Sequence, residues 1–345
     1  MPQSIKKNIT IIQLGRIGDI LQTICAVSHP EDLQIDFTII CRQSFGQPLR
    51  HLLQRYFKNI YFLDTDALFS KSTSLTDSSK RLDEVLLNLN QYKHDALVNL
   101  TFSKPAAYLM SLLESPIKIG QIFQGIQEFS MNDMWSRYVY SNIMTGPYST
   151  FNLVDIMKRM IGIPFSLVTE TPNSVAPKSK PGKEIIINPF ASHRKKFWNS
   201  QKWAKLINNL AQNEKYNICL VGSPAEKVQG DEIINLIDKN ALTRVKNLIG
   251  QTTVEQLSEH LGAADLFLGH DSMTSHLASM EGTQTFTISL GTVRPAETMP
   301  YGENHFTLVP NISCFPCFPN DKCSNLECHD EILSLIHISE PTRPY

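Results

Sequence analysis

The sequence predicts an α/β protein built from two doubly wound halves. Short apolar runs alternate with amphipathic segments at helical spacing, the pattern of a parallel sheet with crossover helices. The alternation occurs twice, on either side of residues 169–183 (TETPNSVAPKSKPGK), a stretch rich in Pro and Ser with no periodicity. Such a stretch is the linker expected between domains. A chain of 345 residues also leaves room for two full cores.

The first strand, residues 8–15 (NITIIQLG), is a nearly continuous apolar run, as expected of a strand buried on both faces. It empties into GRIGD. There Gly15 and Gly18 permit a tight turn, and Asp19 falls in the first turn of a helix carrying Ile20, Leu21, Ile24 and Val27. Strand-like residues 35–41 (IDFTIIC), 59–64 (NIYFLD) and 95–100 (DALVNL) precede helical segments around 49–56, 81–89 and 105–113, and IKIG (117–120) follows. Residues 69–79, rich in Ser and Thr, read as an exposed loop, and 121–149 as an irregular piece that could carry acceptor contacts. A helix over 151–161 closes this half.

The second half restarts with a strand at 184–190 (EIIINPF). A helix over 200–212 then places Trp203, Leu206, Ile207 and Leu210 on one buried stripe. Residues 217–222 (NICLVG) form the next strand, followed by a helix to about residue 237 and a short strand near 245–249. Thr252, three residues before Glu255, marks a capping-box start for a helix with Val254, Leu257 and Leu261 facing inward. Residues 262–282 (GAADLFLGHDSMTSHLASMEG) predict a strand over 265–268, a turn through Gly269, His270 and Asp271, and a helix opening at Ser272. A further strand is TFTISLG, residues 285–291.

Composition excludes several classes. Hydrophobic residues make up 42% and charged residues 19%, ordinary for a soluble enzyme. The net charge of −1 gives no reason to expect a nucleic-acid partner or a polybasic membrane anchor. No apolar run reaches the roughly 18 residues a membrane span needs. The N-terminus moves straight into a strand without the pattern of a signal peptide, so a cytoplasmic protein is expected. Cys25, Cys41 and Cys219 fall in apolar elements, where a reduced buried thiol is the default. No GxGxxG follows the first strand and no GxxxxGK[ST] occurs, which speaks against dinucleotide oxidoreductases and P-loop NTPases.

Chemistry is expected in the loops at the carboxyl ends of strands, where open α/β sheets bind ligands. Asp19 reads either as a general base or as a helix-end carboxylate that only favours the dipole. Residues 191–198 (ASHRKKFW) gather Ser192, His193, Arg194, Lys195 and Lys196 into a cationic loop, suited to a diphosphate or else a solvated charge run. In residues 221–227, Glu226 could accept from a ribose or simply start a helix. At 262–282 a strand meets a helix N-terminus loaded with Asp271, Ser272, Thr274, Ser275 and His276, a ready anion site. Thr292 and Arg294 follow the next strand beside it.

Taken together, GRIGD, FASHRKKFW before WAKLINNLA, the run VKNLIGQTTVEQLSEHLGAADLFLGHDSMTSHLA and LGTVRPAETMPYGEN resemble glycosyltransferase family 9, the heptosyltransferase-like enzymes of bacterial lipopolysaccharide synthesis. NLVDIM (152–157) and CFPC (314–317) are also similar to that family. The resemblance implies a GT-B architecture, two Rossmann-like domains facing a cleft. It implies an acceptor-binding domain over residues 1–168 and a nucleotide-sugar domain over 184–312. The activity implied is inverting transfer of a heptose or related sugar, from ADP-heptose in the best-known members, to a lipopolysaccharide core, another surface glycan or a protein. Asp19 matches the catalytic base, Lys196 the diphosphate-binding lysine and Ser192 a phosphate-contacting hydroxyl. Asp271 matches the carboxylate on the sugar hydroxyls, Ser272 begins the anion-binding helix and His276 lies one turn in. Lys195, Glu226, Thr292 and Arg294 complete the expected substrate-binding set.

No cofactor is needed for such catalysis, and peripheral association with the inner face of the inner membrane would suit a lipid-linked acceptor. The alternative is a sugar-nucleotide-binding protein of the same fold without catalysis. Two departures fall in the donor pocket. Met273 stands where the family usually has Gly, and GTVRP replaces a Gly-Pro-Thr-Asp-type turn.

Cys314, Cys317, Cys323 and Cys328 crowd into residues 313–331 with His329 adjacent. Four soft ligands favour a structural Zn or Fe site, the alternatives being free thiols or disulfides. Finally, LSLIHISEPTR (333–343) resembles the translation of a sequencing-library adaptor rather than a protein segment. Residues 333–345 are therefore read as a non-native tail and the native chain as continuing past about residue 331, the alternative being an amphipathic tail.

Overall fold

The computed structural model describes residues 7–28, 34–69, 74–125, 128–144, 149–163, 183–292, 294–317, 323 and 325–332. The chain divides into two compact units, Met1–Glu170 and Thr171–Tyr345. The expected linker up to residue 182 and the tail from 333 lie outside the described residues.

In the first unit, strand β1 (Lys7–Gln13) leads to helix α1 (Ile17–Val27), then β2 (Ile35–Arg42), α2 (Arg50–Tyr56), β3 (Asn59–Leu63), α3 (Leu75–Asn90), β4 (Ala96–Asn99) and α4 (Lys104–Leu112). A hairpin of β5 (Lys118–Gly125) and β6 (Glu128–Met131) follows, then α5 (Met134–Tyr138) and α6 (Leu153–Ile161). The sheet order is β3-β2-β1-β4-β5-β6. β1 is central and pairs in parallel with both β2 and β4, which explains its unbroken apolar run: Ile11 and Ile12 are fully buried. The sheet is parallel except at β6, which runs antiparallel to β5.

Two expectations need correction here. The Ser/Thr-rich stretch is not all loop, because Ser74 accepts a hydrogen bond from the Asp77 N–H at 3.1 Å and starts α3 at Leu75. A serine at an N-cap is worth more to a helix than it loses by low propensity inside it. Residues 121–125 and 128–131 are not irregular but paired strands. Phe123 and Phe129 face each other across the hairpin and both pack on Tyr108 of α4, at ring distances of 5.5, 4.4 and 5.8 Å. That aromatic trio supplies the cross-strand packing an edge hairpin needs.

The second unit runs β7 (Lys183–Asn188), α7 (Ser200–Ala211), β8 (Tyr216–Leu220), α8 (Lys227–Asn235), β9 (Val245–Asn247), α9 (Val254–Ala263), β10 (Leu266–His270), α10 (Met273–Met280), β11 (Gln284–Ile288), α11 (Pro295–Thr298), β12 (His305–Leu308) and α12 (Glu327–Glu331). All six strands are parallel, in the order β12-β11-β10-β7-β8-β9.

Three details differ from expectation. The capping box of α9 is Thr253 with Gln256, not Thr252 with Glu255. Thr253 Oγ1 accepts from the Gln256 N–H at 3.2 Å, and Gln256 Oε1 accepts from the Thr253 N–H at 2.9 Å. β10 continues through Gly269 and His270, since Gly269 pairs with both Asn188 and Thr287, so the turn begins at Asp271. β12 adds an edge strand too short to stand out, held by Phe306 stacked on Phe286 at 4.8 Å.

Cys25, Cys41 and Cys219 are buried, and burial pushes their thiols up to about 12, 12 and 11. The core of the second unit centres on Trp203 of α7, fully buried, edge-on to Trp198 at 5.2 Å and to His270 at 5.4 Å. Trp203 Nε1 makes no hydrogen bond among the described residues, so replacing it tests packing alone. Trp203→Ala should destabilise this unit by about 3–5 kcal/mol, read as a lowered urea midpoint by far-ultraviolet circular dichroism.

Candidate active site

Each sheet reverses its strand order beside its first strand, between β1 and β4 in one unit and between β7 and β10 in the other. Right-handed crossovers send the helices that follow such a pair to opposite faces, which opens a crevice beyond the strands' carboxyl ends. Most of the candidate residues lie at those two edges.

In the first unit, the chain leaves β1 over a buried polar network that the sequence reading missed. Gln13 Oε1 accepts from the Gly15 N–H at 3.0 Å and from Thr101 Oγ1 at 2.9 Å, while Gln13 Nε2 donates to Thr23 Oγ1 at 3.0 Å. Thr101 Oγ1 in turn accepts from the Leu14 N–H at 2.7 Å, tying the ends of β1 and β4 together. The available signal was a lone glutamine in an apolar run.

Asp19, half-buried, is fixed above this network. Its Oδ2 accepts from the Arg16 N–H at 2.7 Å. A Cβ on Gly15 would stand 2.5 Å from that oxygen, so glycine is required for the carboxylate to lie where it does. The helix-end function weighed in the sequence is thus fulfilled.

In the second unit, the cationic loop after β7 forms a single 3-10 turn over Arg194–Lys196. Lys196 Nζ lies 3.8 Å from Asp271 Oδ2, and His276 Nε2 lies 3.8 Å from Asp271 Oδ1. Thr298 Oγ1 donates to the same Asp271 Oδ2 at 3.3 Å. Asp271 itself sits between the end of β10 and the start of α10. Ser275 Oγ accepts from the Ser272 N–H at 3.3 Å and donates to the Ser272 carbonyl at 2.8 Å. The Ser272 hydroxyl is buried and makes no hydrogen bond among the described residues.

The structure thus brings Lys196, Asp271, Ser272, His276 and Thr298 together; Thr298 was not anticipated. Ser192 is exposed on the same loop, and Lys195 is half-buried beside Gly291, whose absent side chain leaves room for the Lys195 carbonyl. Thr292 follows Gly291 at the end of β11, half-buried. Arg294 is not an open cation: it is buried and paired with Glu297 at 3.0 Å. Glu226 accepts from the Ser223 N–H at 2.6 Å and from the Ser223 hydroxyl at 2.9 Å, the helix-start arrangement.

Under the loop lies His270, fully buried. Its Nε2 accepts from the Trp198 N–H at 3.1 Å and its Nδ1 meets the Ile288 carbonyl at 3.3 Å. The Ile288 carbonyl can only accept, so Nδ1 carries the proton and the ring is neutral. Burial, first of all, holds its pKa at about 3.

The sequence of residues 85–328 matches the family described as glycosyltransferase family 9 (heptosyltransferase), about seven-tenths of the chain. The chain belongs to glycosyltransferase family 9. Among relatives, it is 30% identical over 158 residues to lipooligosaccharide heptosyltransferase 2 of Campylobacter jejuni, covering 45% of this chain and 48% of that protein. The chain thus spans about half the length of the curated relatives that it matches at this level.

Its fold is similar to that of Escherichia coli heptosyltransferase WaaC with ADP, with a TM-score of 0.63 and 16% identity, covering 87% of this chain and 92% of that one. It is also similar to the iron-containing dodecameric glycosyltransferase TibC of enterotoxigenic E. coli, with a TM-score of 0.52 and 13% identity, covering 95% and 73%. TibC has also been seen in complex with ADP-D-β-D-heptose. The two parallel-sheet units are those of the GT-B fold.

In this family 9 chain the four clustered cysteines grade from exposed Cys314, through half-buried Cys317 and Cys323, to buried Cys328. Burial pushes the Cys317 thiol up, and the thiols of Cys323, Cys328 and Cys314 add to the effect. Backbone hydrogen bonds from Leu326 and Asn325 draw the Cys323 thiol down. No group of three His, Cys, Asp or Glu among the described residues stands in an arrangement ready for a metal ion.

His270 generates a pH dependence. Its pKa lies near 3 in the folded state against an ordinary 6.5, so the unfolded chain takes up the proton first as pH falls. The stability it contributes is complete above about pH 6.5 and drains away toward pH 3; buried His305, held at about 4, acts in the same direction. Urea midpoints should therefore fall between pH 7 and pH 4.5, and less steeply in His270→Gln, which keeps an acceptor for Trp198 but cannot titrate.

Proposed function

We propose that the protein is an inverting glycosyltransferase that moves a heptose or closely related sugar from ADP-heptose to a lipopolysaccharide core or similar glycan acceptor. The observation that carries this reading is the pairing of Lys196 with Asp271 beside the N-terminus of α10, at the strand-order reversal of a family 9 chain. A cation and orphan N–H groups suit a diphosphate, and a carboxylate suits sugar hydroxyls. The bound ADP and ADP-heptose of WaaC and TibC support ADP as the carrier. The heptosyltransferase identity of the Campylobacter relative supports the sugar.

In this reading Asp19 takes the proton of the acceptor hydroxyl as its oxygen attacks the anomeric carbon. The bond from that carbon to the diphosphate breaks on the opposite face, with inversion. ADP leaves with its charge met by Lys196 and the helix terminus. Asp271, with Thr298 and His276 holding it, would fix the sugar, Ser192 and Lys195 would line the phosphate side, and Thr292 and Glu226 would flank the nucleotide. No described helix is long and apolar enough to cross a membrane. A cytoplasmic site at the inner face of the inner membrane would suit a lipid-linked acceptor.

Asp19→Ala should lower kcat for transfer from ADP-heptose to a truncated lipopolysaccharide core by about 10²–10⁴-fold, while ADP binding by calorimetry stays within twofold. Lys196→Ala should weaken ADP binding by roughly 10–100-fold. Wild-type turnover in the Asp19 variant would overturn the mechanism. A wild-type chain that binds ADP-heptose but never turns it over would leave only the binding reading.

For the cysteine cluster, the proposal is a structural Zn or Fe ion held by Cys314, Cys317, Cys323 and Cys328. Four thiols between residues 314 and 328 are a soft donor set of the kind such ions take, and the iron of TibC supports the reading, although the described residues do not stand in a closed metal-ready arrangement. The ion would cross-link residues 314–328 and take no part in the transfer. Elemental analysis of freshly purified protein should find about one equivalent of metal, with four thiols becoming titratable on chelation. Four titratable thiols and no metal beforehand would end the idea.

A further inference from the structure

The segment that carries the cysteines is bound to the cationic loop itself. His329 Nε2 lies 2.9 Å from the Lys195 carbonyl across 134 residues of sequence. A carbonyl can only accept, so Nε2 carries the proton and donates. Next to it, the Cys317 N–H donates to the Gly291 carbonyl at 2.9 Å. A Cβ on Gly291 would lie 2.7 Å from the Lys195 oxygen. The Lys195 carbonyl is therefore packed against Gly291 on one side and hydrogen-bonded by His329.

The segment is anchored in turn to the first turn of α7 and to the residues leading into it. Lys202 Nζ donates to the His329 carbonyl at 2.6 Å, and Trp198 Nε1 donates to the Ile332 carbonyl at 3.1 Å. The loop has little of its own to hold it: one 3-10 turn, with the Lys196 N–H on the His193 carbonyl at 2.9 Å and the Lys195 N–H on His193 Nδ1 at 3.2 Å. A hydrogen bond to the carbonyl of one residue fixes the peptide plane that directs the next residue's side chain.

We infer that His329 is a positioning residue for the donor site: by holding the Lys195 carbonyl it directs Lys196 toward Asp271. The inference rests on the reading that Lys196 binds the donor's diphosphate. It gives the cysteine-bearing segment a task at the reaction site, and places the cysteines where whatever they bind stiffens the donor loop.

The test is calorimetric titration of the whole 345-residue chain with ADP. His329→Ala should raise the dissociation constant about three- to tenfold, the range for loss of one ordered hydrogen bond. His329→Gln, whose amide can donate to the same carbonyl, should return it to within twofold of wild type, a rescue that a merely structural defect would not give. Should His329→Ala fold poorly, Lys202→Met loosens the same segment from α7 and should raise the constant in the same direction.

Unchanged ADP affinity in His329→Ala alongside weakened affinity in Lys196→Ala would overturn the positioning role and leave the donor-loop reading standing. Failure of His329→Gln to rescue would also overturn it. If Lys196→Ala binds ADP as wild type does, the donor-loop reading falls and the inference falls with it.

Discussion

Strands that leave a parallel sheet must find partners for the backbone N–H groups just past their ends, and β1, β4, β7 and β9 meet that demand with one device. At the ends of β4, β7 and β9 stand Asn99, Asn188 and Asn247, and each Oδ1 accepts from the N–H two residues on, at 3.0 Å in all three cases. At the end of β1 Gln13 does the same for Gly15. The free amide ends then reach sideways, Asn188 Nδ2 to Thr274 of α10 at 2.7 Å and Gln13 Nε2 to Thr23 of α1 at 3.0 Å. The polar cost of ending a buried strand is thus turned into the framework on which the reacting groups stand.

Within the second unit this framework explains why the groups around Asp271 can be both polar and fixed. His270 stays neutral in the core and holds Trp198, so the cationic loop is pinned at its far end, while its middle is gripped at Lys195. Lys196 is left with its partner Asp271 at 3.8 Å, a separation that suits attraction without a closed contact. Asp271 in turn is held by Thr298, on a short helix whose buried Arg294–Glu297 pair is internal to it. Charges that look interchangeable along the sequence therefore do different work: Arg294 is buried against Glu297, while Lys196 stands near Asp271.

How much of this was legible in the sequence depends on range. The alternation of strands and helices follows from periodicity, which is local, and it located Asp19, the loop at 191–198 and the turn at Asp271. The hairpin at 118–131 was not legible because its strength comes from Tyr108 meeting Phe123 and Phe129, a contact no local pattern displays. Ser74 was misread for a related reason: serine favours both loops and helix starts, and only the Asp77 N–H decides between them. Thr298 escaped notice, and His329 was read only as a neighbour of the cysteines, because each acts on a residue far away in sequence, 27 and 134 positions off. Arg294 shows the converse, a charge whose partner three residues on was visible but whose burial was not.

The seven thiols fall into two chemical populations. Cys25, Cys41 and Cys219, buried and raised to about 11 or 12, are silent toward electrophiles at neutral pH. Those that an alkylating dye or an oxidant can reach when no ion is bound lie in the group from Cys314 to Cys328, next to the residue that ties this segment to the Lys195 carbonyl. The sequence therefore carries its own selective handle: after chelation, a fluorophore placed there without any mutagenesis would sit beside the loop at Lys195. By the same token, oxidative damage to the folded protein would be concentrated beside the site where the nucleotide sugar is expected to bind.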